Sequence, residues 1–165
     1  MVKKPMTKDT IPDNFTLSLV IVDIIPVLFF FITIISFSMK TYFNYLFIIG
    51  GIICFISGFL KVIWKLIVVL KKKNVWWMFV QLRIAMPIGF TMITIGFIFG
   101  WKNYSNIIFN APFMSKLFFT FWIIGMSLMS IFAMRLDSAD LISNWIEQIT
   151  NSISMIFLSI SVIYL

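Results

Sequence analysis

The sequence predicts an all-α membrane protein: a bundle of five transmembrane helices, N-terminus cytoplasmic and C-terminus outside. Three observations predict it. Of 165 residues, 61% are hydrophobic and only 12% charged, where a soluble domain carries about a quarter charged. The mean hydropathy is +1.06. The apolar residues also fall into five runs of roughly 20 residues, the length that crosses a bilayer core. So short a chain leaves no room for a soluble domain, and residues 1–165 are expected to form a single integral membrane domain.

Residues 1–14 are polar, contain two prolines and form a short tail, with Asp13 or Asn14 as the cap of the first helix. The Lys-rich start resembles the n-region of a signal peptide. The apolar run behind it is too long and lacks a small-residue cleavage site, so residues 15–38 are read as the first span. A second span, 42–65, carries Gly50, Gly51 and Gly58, which allow close helix approach. Lys61, Lys65 and the run Lys71–Lys73 follow as snorkelling and interfacial positions. The third span, 78–100, opens with Gln81 and Arg83 and has Pro87 a turn later. Residues 101–116 form the longest polar connection, and Pro112 suits the first turn of the fourth span, 113–134. The last span, 145–165, is expected to be extended by an interfacial amphipathic segment that begins at a cap on Asp137 or Ser138.

Charge sets the expected orientation. With the 61–83 connection in the cytoplasm, ten of the thirteen Lys and Arg lie inside, and Lys40, Lys102 and Lys116 lie outside. The four tyrosines then fall at outer boundaries, and Trp64, Trp76, Trp77 and Trp145 at inner ones. The expected location is the plasma (inner) membrane. The net charge of +7 belongs to topology and anionic headgroups rather than to nucleic acid, because the basic residues sit at span ends.

Several chemistries drop out. The chain has no His and one Cys, Cys54, inside an apolar run where it reads as a small buried hydrophobe. That removes His-ligated haem, His-based zinc sites and an internal disulfide. No Gly-rich phosphate loop, Ser–His or Cys–His arrangement is present. No cofactor and no metal site is expected. The stretches PVLFFFITI (Pro26–Ile34) and PIGFTMITI (Pro87–Ile95) hint at a parallel repeat, although chance matches come easily in a chain so rich in Ile and Phe.

Candidate chemistry gathers on the last helix. Asp137, Asp140, Asn144, Glu147, Asn151 and Ser154 recur every three or four residues and share one helical face. Asp137 and Asp140 read as interfacial acids, a cap and a solvated edge. Asp23, Arg83 and Glu147 lie early in the three spans that begin in the cytoplasm, so all three fall at similar depth. Charges there are expensive unless they pair or face a wet cavity. The expected pairing is Arg83 with Asp23 or Glu147, the bidentate geometry that best offsets desolvation. Pro26 and Pro87 free the carbonyls of Val22 and Arg83, which then need water, a hydroxyl or an ion. Asp23, Arg83, Asn144, Glu147 and Asn151 are therefore the expected lining of a cytoplasm-facing polar pocket. Its oxygen ligands suit a cation, proton or small polar solute.

The expected function is a small transporter, channel or solute-binding subunit, paired with itself or with a partner membrane subunit. The first alternative is a structural or accessory subunit that docks through the charged stripe. The second is an intramembrane lipid-modifying enzyme using the acids of 137–147.

Overall fold

The sequence was folded as a computed structural model that describes residues 15–41, 44–136 and 141–165. The described residues form six α-helices: α1 Leu17–Lys40, α2 Tyr45–Lys71, α3 Trp76–Phe99, α4 Trp101–Phe109, α5 Phe113–Arg135 and α6 Leu141–Ile163. Five of them, all but α4, are long and apolar enough to cross a membrane, and the chain is a multi-pass membrane protein on that ground. The expected polar connection over 101–116 instead contains α4. Its apolar side is anchored by the buried Tyr104, whose ring packs edge-on against Phe37 at 5.2 Å.

Local chemistry explains the ends. Thr16, not Asp13 or Asn14, takes the side-chain cap of α1, its hydroxyl accepting from the Leu19 N–H (3.2 Å). Asn44 caps α2 through the N–H groups of Leu46 and Phe47, and its amide donates to the Gly96 carbonyl (2.9 Å). Lys72 ends α2 in the left-handed region (φ 48°). Lys40 reaches from α1 to the Ile163 carbonyl, and Lys116 donates to the Phe109 carbonyl. Asp13, Asn14, Tyr42, Asp137, Ser138 and Asp140 lie outside the described residues, and the expected cap and interfacial extension of the last helix lie there with them.

The helices pack in a row of neighbours, α3–α2–α1–α6–α5. The row curves, so residues of α3 and α5 face each other across a cavity without packing together. Small residues set the α2–α3 spacing. A Cβ on Gly50 would stand 2.6 Å from the Gly89 carbonyl oxygen, and one on Gly96 would stand 2.6 Å from the Phe47 nitrogen. Polar bonds lock the register. Ser57 donates to Gln81 Oε1 (2.8 Å), and Gln81 Nε2 donates back to the carbonyls of Ser57 and Met78.

α6 is stitched to both neighbours by serines seven residues apart. On one side, Ser152 donates to the Val22 carbonyl (3.3 Å) and Ser159 to the Phe29 carbonyl (2.7 Å). Both pairs have the same offset, so α1 and α6 run parallel. On the other side, Ser161 and Ser115 exchange hydroxyl-to-carbonyl bonds of 2.9 Å each. Pro26 removed the helical partner of the Val22 carbonyl, and the Ser152 hydroxyl lies 3.3 Å from it, its one proton shared with the Gln148 carbonyl at 2.7 Å. Thr33 shares the Phe29 carbonyl with Ser159, their two oxygens 2.8 Å apart. Ser159→Ala is expected to cost about 0.5–1 kcal/mol, the loss of one interhelical hydrogen bond, since Thr33 still donates to the Phe29 carbonyl. Comparing its unfolding midpoint with that of the exposed Ser130→Ala checks this; equal midpoints would deny the stitch.

The two proline stretches occupy unlike settings. Pro26 is buried against its neighbours, whereas Pro87 is exposed.

Candidate functional site

The ionic centre sits where α1 begins and α2 ends. Asp23 and Lys65 each lie six residues inside their helix, about 9 Å deep at 1.5 Å per residue. They form the one ion pair among the described residues, and each is only 3% exposed. Lys65 also lies over the Phe15 ring, 5.1 Å from its centroid, and the charges of Lys61 and Glu147 act on it through space. Apolar groups stand next to the pair: Pro26, Val27 and Val62 line the same cavity as Asp23, and Phe15 lies under Lys65.

This arrangement corrects the expected pairing. Asp23 takes Lys65, not Arg83, and Lys65 is no snorkelling residue. Arg83 is exposed on the far side of α3, its guanidinium 5.2 Å from the centre of the Phe79 ring. The reason is rotational. α3 turns Gln81 and its glycines toward α2, and Arg83, two residues past Gln81, is carried about 200° around the helix. A lysine on α2, in contrast, shares the face that carries Gly58 against Val27 of α1.

A cavity of about 210 Å³ opens beside the pair, lined by Asp23, Lys61, Asn151, Pro26, Met86 and Met155 among others. Of the five expected pocket residues, the structure brings Asp23 and Asn151 to this cavity. Asn144 is buried on α6, Glu147 is half-buried near Lys65, and Arg83 lies away from it. Asp137 and Asp140 lie outside the described residues. The stripe on α6 therefore splits by angle. Asn144, Gln148, Ser152 and Ser159 are buried on the side toward α1, Asn151 faces the cavity, and Ser154 meets Gly125 of α5. Gln148 went unnoticed in the sequence, although its carbonyl oxygen is buried with no hydrogen-bond partner among the described residues. Its position one turn after Asn144 and one turn before Ser152 was the available signal.

A larger cavity of about 510 Å³ lies toward the other end of the bundle, between α3 and α5 with α1 and α6 behind it. Its walls are mostly aromatic and aliphatic, relieved by Thr33, Ser115, Thr120, Ser161 and the exposed Lys116, whose ammonium donates to the Phe109 carbonyl. Phe30 and Phe90 line both cavities, and their rings meet edge to face at 6.3 Å.

No protein-family model, no curated protein and no solved structure matches the chain. The fold and site define a class, a multi-pass helical membrane protein with a buried ion pair beside a cavity. No group of three or more metal-ligating side chains occurs among the described residues.

Proposed function

We propose that the protein is a small membrane transporter, channel or solute-binding subunit whose polar pocket faces the cytoplasm. The supporting observation is the Asp23–Lys65 pair, buried and yet bordering a cavity that Lys61 and Asn151 also line. An ion pair that only held helices together would be replaced by packed apolar side chains at no loss, and often at a gain. Intramembrane charges beside a cavity have a further use: a cation or proton can compete for Asp23, or a polar solute can bridge Lys61 and Asn151. The five-span topology with the N-terminus inside, as the lysine distribution favours, puts this end of the bundle at the cytoplasmic surface. The inward turn of Asn144, Gln148 and Ser152 favours a pocket over an outward docking stripe.

The test is a melting screen in lipid nanodiscs against Na⁺, K⁺, Ca²⁺, polyamines, small carboxylates and a pH series. At 100 times its dissociation constant a ligand adds about 2.7 kcal/mol, a shift of several degrees. The wild type is expected to show it. The double variant Asp23→Asn/Lys65→Met, which removes both charges together, is expected not to. If no condition moves the wild type more than the double variant, the pocket has no small solute.

A further inference from the structure

We infer that the pocket and the apolar chamber form one site for a single-chain anionic amphiphile, a long-chain carboxylate, with its head at Lys61 and Asn151. The inference rests on the pocket reading above and names the ligand class. Three observations carry it. The first is charge. Asp23 already has Lys65 as its partner, whereas Lys61 borders the cavity with no ion pair among the described residues. The positive charge left to a ligand is therefore an ammonium, which selects an anion. One ammonium and one carboxamide supply donors for the two oxygens of a single carboxylate. A phosphate monoester, at about −1.5 to −2, would leave excess negative charge beside Asp23.

The second observation is the polarity gradient. Beyond Phe30 and Phe90 the wall changes from charged and amide groups to rings and aliphatic chains, and the one ammonium there, on the exposed Lys116, is already bonded to the Phe109 carbonyl. A ligand that satisfies both ends is polar at one end only. The third is size and access. An apolar protein cavity of about 150 Å³ holds a benzene ring, so roughly 20 carbons fill a space of 510 Å³. That is one acyl chain, not the two of a phospholipid. Because α3 and α5 do not pack on each other, the chain can enter sideways from the bilayer. The Phe30–Phe90 pair is then the doorway the tail straddles when the head is seated.

The experiment uses stearate spin-labelled along its chain, with the full-length protein in nanodiscs of zwitterionic lipid, read by electron paramagnetic resonance. The wild type is expected to show a motionally restricted component that saturates at one label per chain. Lys61→Gln is expected to weaken it about tenfold or more, as is replacing the probe by the matching spin-labelled fatty alcohol. Leu158→Trp, which fills the chamber from α6, is expected to abolish it, with Ala111→Leu as a second filling variant. Each variant is first shown to retain wild-type helicity and elution volume. If the alcohol binds as well as the acid, or Lys61→Gln changes nothing, headgroup recognition is overturned. If the filling variants keep the component, the label reports lipid around the bundle and the chamber is overturned. A melting shift by small solutes without any restricted stearate would sink this inference and leave the pocket standing. Absence of both effects removes the two together.

Discussion

Lys65→Met is expected to destabilise the protein by about 3–5 kcal/mol, the largest effect of any single substitution in the ionic centre. The methionine fills most of the space of the lysine stem, so little of this loss comes from packing. It comes from Asp23, 3% exposed in the wild type, which would be left with its ammonium gone. A buried carboxylate without its partner draws water into the bundle or stays uncompensated, and either response costs stability. Asp23→Asn alone leaves the ammonium uncompensated, although its flexible stem lets it reach toward the helix end, so a smaller loss is expected. The double variant Asp23→Asn/Lys65→Met removes both charges and should recover most of the stability, giving a coupling energy of opposite sign to the single losses. Reversible unfolding in mixed micelles measures all four species. Additive single losses would show that the two side chains do not act as a pair.

The site and the fold were legible to different degrees, for different physical reasons. Helix existence comes from runs of apolar residues, and lipid enforces it because no other local structure satisfies the backbone there. The five spans and their ends were therefore visible within a few residues, as with the second span continuing through Lys61 and Lys65 to Lys71. Helix rotation is another matter. It is settled by which small residues let two backbones approach, and the sequence shows that Gly50 and Gly51 are adjacent without showing that one meets α3 and the other Ile34 of α1. Arg83 was assigned to the pocket on depth alone, and depth says nothing about azimuth. Lys65 was misread for the matching reason: a lysine near a helix end usually snorkels, and only its facing partner Asp23 keeps it inside.

α6 shows both lessons in one helix. Its polar periodicity was visible, and so was its membership of the site. What the period could not reveal was the division of labour at about 100° per residue, with serines at 152 and 159 serving α1, serines at 154 and 161 serving α5, and Asn151 left between them for the cavity. The freed carbonyl of Val22 was an exception. Proline chemistry demanded a donor there whatever the packing, and the Ser152 hydroxyl, shared with the Gln148 carbonyl, stands within reach of it.

The glycine contact between α2 and α3 leads to the second large effect. Gly50→Ala is expected to destabilise the protein by about 1–3 kcal/mol, even though alanine favours a helix over glycine by about 1 kcal/mol. The added methyl would stand 2.6 Å from the Gly89 carbonyl oxygen and 2.8 Å from the Ile93 nitrogen, both backbone atoms that no rotamer change can move. α3 must back away, and lipid gives no hydrophobic force to hold the loosened pair together. The cost spreads to the hydrogen bonds between Ser57 and Gln81, whose distances allow little stretch. Gly58→Ala is the control. Its methyl would meet the tip of Val27 at 3.2 Å and Met86 at 3.6 Å, both side-chain ends that can give way, so its helix-propensity gain should survive. Displacing α3 would also carry Phe90 away from Phe30 and widen the passage between the two cavities. In the spin-label experiment Gly50→Ala should then exchange stearate faster than wild type. Equal stability for the two alanine variants would show that α2 and α3 are not held together by backbone contact at Gly50.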